Sequence, residues 1–213
     1  MATLGDYEAA NRHLEECLQI CLENGQLSTY AIARESSAEI AMVQGDLESA
    51  GIQFQEGLQR STALDYAPGI FNAYHGLAYL NITAGNYMEA HSYLLKAFSF
   101  AQKMGSEVYI AMVLGAFGHL EAGISYLEEK NLGTVRSLDY AIQFWGAAEE
   151  INSKYATFSL SPGSEKHNNE LNRAMNLVGQ ERFKELSAHG AGLKLDEIVT
   201  VSNIGISILN ELS

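Results

Sequence analysis

Gly5-Asp6-Tyr7-Glu8-Ala9-Ala10, Gly45-Asp46-Leu47-Glu48-Ser49-Ala50 and Gly85-Asn86-Tyr87-Met88-Glu89-Ala90 follow one another at intervals of 40 residues. Self-similarity at a fixed period of this length is the signature of a repeat architecture, in which each unit buries its apolar face against the next. Glycine accepts the left-handed backbone that ends a helix, and Asp or Asn beside it can cap the helix that follows. Each hexamer therefore predicts a corner between two helices.

Outward from the corners, small and apolar residues recur at helical spacing: Tyr7, Ala10, Leu14 and Cys17; Leu47, Ala50, Phe54 and Gly57; Tyr87, Ala90, Leu94 and Ala97. These are the packing helices. Partner helices are predicted over 30–44 and 70–84, with Ala38 and Ala78 where close contact needs a small side chain. A fourth unit places Gly118 in that position and repeats the packing pattern as Leu138, Ala141, Trp145 and Ala148. Trp145 follows Leu94 by 51 residues, so 51 − 40 leaves an insertion of about eleven before it. The fold class is all-α, an array of about four helical hairpins over 1–151 followed by a helical capping segment over 152–213. In that segment Ser161-Pro162 opens a helix to Val178, Gly179 and Gly190 bound a short helix with Phe183 and Leu186, and a last helix runs from Leu195 to Leu209.

Composition narrows the function. The chain has 213 residues, 47% of them hydrophobic, and a formal charge of −13. That charge repels nucleic acid, and no basic patch offsets it. The longest apolar run, Tyr109 to Gly118, is well short of the roughly 18 residues a membrane span needs. The first residues lack the basic start and apolar core of a secretory signal, which sets the expectation of a cytoplasmic protein with no membrane contact. Cys17 and Cys21, four apart on one helix, suit neither a disulfide framework nor a CxxC site and read as free thiols.

The corner pattern, a small residue in the first helix, then Gly-Asp/Asn-Tyr/Leu-x-x-Ala, an aromatic or Leu four further on and a small residue three beyond, resembles the tetratricopeptide family from Gly5 to about Ile151. The resemblance implies a right-handed α-α superhelix. The period is longer than the family's usual length of about 34, and the proline after the second helix is missing. Longer repeats of this kind resemble those in the carboxyl-terminal arms of bacterial signalling ATPases and LuxR-type, maltose-activator-like regulators. Phe144-Trp145-Gly146-Ala147-Ala148-Glu149, Gly179-Gln180-Glu181-Arg182-Phe183 and Leu193-Lys194-Leu195-Asp196-Glu197-Ile198-Val199 resemble, in order, three elements that close such arms. Lys194 and Ile198 stand where those regulators carry Ser and Ala. Neither a GxxxxGK[ST] loop nor a basic recognition helix occurs in this sequence.

In tetratricopeptide arrays the first helix of each unit lines the concave face. The matching positions are Ile32, Glu35, Glu39 and Met42; Asn72, His75, Tyr79 and Ile82; Met112, Gly115, His119 and Ala122. From these, Glu35, Glu39, Asn72, His75, Tyr79, Met112 and His119 form the candidate groove for a protein or peptide partner or a small-molecule inducer. The Lys and Asn clamp of adaptors for acidic peptide tails is missing from it. Glu35, Glu39, His75 and His119 lack the Glu-x-x-His spacing of a di-metal carboxylate site. His13, Cys17 and Cys21 could offer three zinc ligands, but the cysteines align with Gly57, Ala97, Ser61 and Ala101 and read as packing residues. Trp145 aligns with Phe54 and Leu94 and reads as core. No catalytic constellation, metal or cofactor is expected.

The expected activity is binding without catalysis, in the sensor arm of a signalling ATPase or transcription regulator. The alternative is a freestanding scaffold that joins two proteins. Residues 5 to 24 read as a second-type helix whose partner would precede residue 1. This sets the expectation of a piece cut from a longer protein, with an apolar edge through which the chain could form a homo-oligomer.

Overall fold

The computed structural model describes residues 6–155 and 165–212, which form ten α-helices and no strand among the described residues. Seven follow one another as antiparallel neighbours: α1 (Tyr7–Glu23), α2 (Leu27–Val43), α3 (Leu47–Ala63), α4 (Ala67–Ala84), α5 (Tyr87–Met104), α6 (Glu107–Leu132) and α7 (Arg136–Tyr155). The chain closes with α8 (Glu165–Val178), α9 (Gln180–Ala191) and α10 (Leu195–Glu211). From α1 to α9 each helix packs on its sequence neighbour, which makes the chain the all-helical repeat superhelix its periodicity predicts.

One backbone device turns five successive corners. Gly25, Gly45, Asp65, Gly85 and Gly105, each 20 residues from the next, have φ of 67°, 82°, 51°, 77° and 61°. The next residue's N–H reaches back to a carbonyl inside the finished helix, as in Gln26 to Cys21 at 2.8 Å, Tyr66 to Ser61 at 2.9 Å and Asn86 to Asn81 at 2.8 Å. That is the Schellman arrangement, which satisfies carbonyls the helix end would otherwise leave bare. Asp46 and Ser106 then accept the N–H of Ser49 and Tyr109 and start the next helix. The 40-residue repeat is therefore two 20-residue helix units. α2 and α4 begin three residues ahead of the predicted 30 and 70, and Pro68 lies in the first turn of α4, where its missing N–H does no harm. Gly5 and the Ser161-Pro162 cap fall outside the described residues.

Large side chains rest on absent ones. A Cβ on Gly76 would stand 2.2 Å from the Phe54 ring, and one on Gly118 2.2 Å from the Trp145 indole nitrogen. Ala38 and Ala78 have no exposed surface, and Trp145 is core as its alignment predicts. The main core gathers Phe71, Leu94, Leu114, Phe117, Leu120 and Phe144, each contributing about 1.5–3 kcal/mol by leaving water.

The eleven-residue insertion lengthens a helix. α6 has 26 residues where α1 to α5 have 17 or 18. Its extra turns carry the fully buried Glu128 to the start of α7, where the carboxylate accepts from Ser137 N at 2.7 Å and Arg136 Nε at 2.9 Å. A side chain from one helix thus caps the next. α6 is long and apolar enough to cross a membrane, but 72% of that stretch is buried inside the fold, as in the core helix of a packed array.

Gly190 is the last residue but one of α9, one residue from the expected end. It lies within the helix, buried, and a Cβ there would stand 1.9 Å from the Gln143 carbonyl oxygen. Gly146 of α7 meets the Ser187 backbone in the same way, so two glycines let α7 and α9 touch main chain to main chain. α10 doubles back over α5, α6 and α7, with Ser202 Oγ 3.1 Å from His91 Nε2 and Arg136 bonded to Glu211 at 2.8 Å. At the other end, Leu18, Cys21, Tyr30 and Ala33 form a small cluster of their own. Of the apolar edge expected at Tyr7, Leu14 and Leu18, Leu18 is buried and Tyr7 and Leu14 are half-buried, while Ile20 and Leu22 are the open apolar side chains there, at 54% and 51%.

Gly190→Ala should lower the unfolding free energy by about 1–3 kcal/mol, because the new methyl meets backbone that cannot step aside. Asp65→Gly should raise it by less than about 1 kcal/mol by relieving a left-handed non-glycine. Urea unfolding of both variants measures the pair.

Candidate functional site

The predicted stripe on α2, α4 and α6 shares one side of the array, and its residues meet very different surroundings. Glu35 is 5% exposed and His119 7%, whereas Glu39 is exposed and Asn72, His75, Tyr79, Met112 and Gly115 are half-buried. Ile82 and Ala122 are core, and Ile32 is open to solvent.

At the amino-terminal half, Asn72 Nδ2 donates to Glu35 Oε2 at 3.1 Å and so links α4 to α2. The other oxygen, Oε1, is buried without a hydrogen-bond partner. His75 Nε2 lies 3.4 Å from the Met112 carbonyl, which only accepts, so the imidazole carries its proton there. The ring stacks on Phe71 at 5.6 Å and meets Tyr79 edge-on at 5.0 Å, while Phe71 stacks on Tyr109 at 4.3 Å.

The other half is occupied by α8. His119 Nδ1 pairs with Glu170 Oε2 at 2.5 Å, and the His167 ring lies 5.1 Å from His119 and 5.5 Å from Trp145. Arg173 donates to Ser125 Oγ at 3.0 Å, pairs with Glu129 and lies 3.6 Å over the Tyr126 ring. Those α6 residues continue the His119 and Ala122 stripe at spacings of three and four, so α8 lies along the face assigned to a ligand. Leu171 and Ala174 pack with Leu138, Ala141, Ile142 and Trp145. His167, Glu170 and Arg173 escaped the sequence reading, since nothing local ties them to α6; their only signal was the amphipathic pattern of their own helix.

Burial dominates the electrostatics. It pushes the His75 imidazole down to about 4 against the opposing bond to Met112, with the nearby His119 adding to the fall. It pushes the Glu35 carboxyl up to about 8, opposed by the Asn72 bond and aided by Glu39. Desolvation also raises Glu39, and burial raises Tyr79, helped by the Glu170 charge. Near neutral pH both His75 and Glu35 are uncharged, so the polar groups of this floor are hydrogen-bonding groups rather than charges.

The imagined metal sets do not converge. His13 points to solvent, 78% exposed, beside Glu16, whereas Cys21 is buried with its sulfur 3.9 Å from that of Cys17. Both cysteines are free thiols. His75 and His119 are committed to the Met112 carbonyl and to Glu170. A second concavity, an open and mostly apolar cleft of about 370 Å³ between α7 and α9, is lined by Gly146, Glu149, Phe183 and Lys184 among others. It lies where two of the arm-like elements, around 144–149 and 179–183, pack together.

Comparison with protein-family models finds no match, and comparison with curated proteins finds none.

Glu35→Gln tests the buried acid. The unfolded chain ionises Glu35 near its ordinary 4.5 and the folded chain only near 8, so the wild type loses stability as pH rises between those values. The variant should match wild type near pH 4.5 and exceed it by about 1–3 kcal/mol at pH 8 in urea unfolding. A difference that stays constant with pH would place the carboxyl in water.

Proposed function

We propose that the protein is a non-catalytic binding module whose concave face across α2, α4 and α6 takes a ligand or a partner segment. In line with the resemblance in its sequence, we assign it the role of a carboxyl-terminal sensor arm in a signalling ATPase or transcription regulator. The observation that carries the binding role is α8 itself. It is a chain segment seated in one half of the groove through side-chain bonds, while Glu35, Glu39, Asn72 and His75 present polar groups in the half beside it. Repeat concavities are extended binding surfaces because adjacent units present matched positions side by side. A ligand there contacts three consecutive hairpins, so it favours one curvature of the array over another. It shifts the population of the regulator by no more than its differential affinity for the two.

Gly115 supplies the test. It sits mid-helix at the groove position of α6, and a Cβ there meets nothing within 4 Å. Gly115→Trp should keep the helical content of the wild type and fill the groove. In a thermal-shift screen with a metabolite library, groove ligands raise the wild-type midpoint and leave that of Gly115→Trp unchanged. Ligands that shift both proteins equally would move the site elsewhere, and a library without effect on either would count against the sensor role.

A further inference from the structure

The half of the groove that α8 leaves free has a definite chemical preference. Glu35 and Glu39 lie one turn apart on α2, on the same face, and neither is paired with a cation among the described residues. Arg34, the one basic residue of α2, is turned aside to Glu56 at 3.1 Å and to the Tyr30 hydroxyl at 3.0 Å. Asn72 uses its amide N–H on Glu35 and so offers its carbonyl oxygen to a ligand. Glu35 keeps a buried oxygen with no hydrogen-bond partner, lying near Gly57 of α3, a state that costs folding free energy. Its terminal torsion is soft, so the carboxyl can turn that oxygen toward an arriving donor. The chain already shows what the face accepts at its other end. There the Arg173 guanidinium lies over the Tyr126 ring, beside Ser125 and the Glu129 carboxylate.

We propose that this free half recognises a cationic nitrogen group, a guanidinium or alkylammonium, held between the Glu35 and Glu39 carboxylates and the Asn72 carbonyl with the Tyr109 ring beside it. The inference rests on the groove being a binding surface and adds the class of ligand. Charge-assisted bonds to a carboxylate pair are strong where water is displaced, and an aromatic face adds cation–π attraction. The surplus of acid, −13 over the chain, draws such groups in.

Proton linkage gives the site a signature. The groups facing Glu35 are Glu39 from its own helix, Asn72 from α4 and Tyr109 from α6, with Tyr66 beside Tyr109; from α3, Gly57 lies against it, while Arg60 lies over the Tyr30 ring. None of the groups facing Glu35 is a cation, so an incoming cation ionises Glu35 and sends its proton to solvent. Affinity should then rise about tenfold per pH unit up to about 8, where the carboxyl is already ionised.

Calorimetric titration of the full chain at pH 6 and pH 8 tests this with three probes: agmatine, a blocked Ala-Arg-Ala peptide and neutral N-butylurea. Agmatine or the peptide should bind at least tenfold tighter at pH 8, and Glu35→Gln should remove both the gain and the proton release. Tighter agmatine points to a free amine as the source, and a tighter peptide to a side chain of a polypeptide. Butylurea binding as well as agmatine, full affinity in Glu35→Gln, or no binding by either cation overturns the inference. A neutral or anionic ligand that Gly115→Trp blocks would also overturn it and leave the groove standing. Failure of every ligand to distinguish Gly115→Trp from wild type removes the groove itself.

Discussion

A residue held in left-handed backbone once every 20 positions is the constraint on which the rest of the molecule depends. It stops each of the first five helices at 17 or 18 residues and sends the chain back beside itself. Without it the amphipathic stripes would continue along straight rods, with no neighbour to cover Phe54, Leu94 or Trp145. The corner fixes where a helix ends, and the glycine and alanine contacts fix how near the next may lie. Gly76 under Phe54 and Gly118 under Trp145 belong to the first helix of each pair, so the same close approach that buries a ring brings the concave positions of adjacent units into line.

Much of this was legible because it is local. Gly45 and Gly85 announce themselves by the Asp or Asn that follows and by the apolar period that restarts there. Gly25 and Gly105 lack that full pattern, and Asp65 makes the same turn without glycine, so only two of these five corners stood out. Gly190 does two things: it stands within a residue of the end of α9, as expected, and it is also a point where two backbones touch, which only the position of Gln143 reveals. The groove was legible in part. Spacing places Glu35, Asn72, His75, Tyr79 and His119 on one side, but spacing carries no information about a segment some fifty residues downstream that lies across it. Nor does residue type reveal that Glu35 is buried, since glutamate is among the side chains least often found so.

The burial of that acid sets the character of the face. Outside, the protein is strongly acidic; inside the groove, His75 is held neutral by the same desolvation that holds Glu35 neutral, although one shift runs down and the other up. A face of this kind avoids the standing repulsion that two ionised carboxylates one turn apart would impose. Tyr109, Phe71, His75 and Tyr79 form a chain of ring contacts from the Glu35 region to His119, where Glu170 begins the α8 contact.

Helix α6 joins that face to the carboxyl-terminal helices. Met112, Gly115 and His119 lie on its groove stripe. A few residues on, Glu121 is enclosed beneath Gly205 of α10, and Glu128 caps α7 through Ser137 while sharing Arg136 with Glu211 of α10. These are contacts of one 26-residue helix, and an α-helix does not bend freely between turns. The groove stripe, the α7 cap and the α10 seat are therefore carried by one element. Glu121 makes that seat sensitive: both of its oxygens are buried without partners, and burial, reinforced by Glu128, holds its carboxyl well above the ordinary range. Water admitted there would relieve the desolvation that raises this carboxyl, so burial of the acid and packing of the interface are linked.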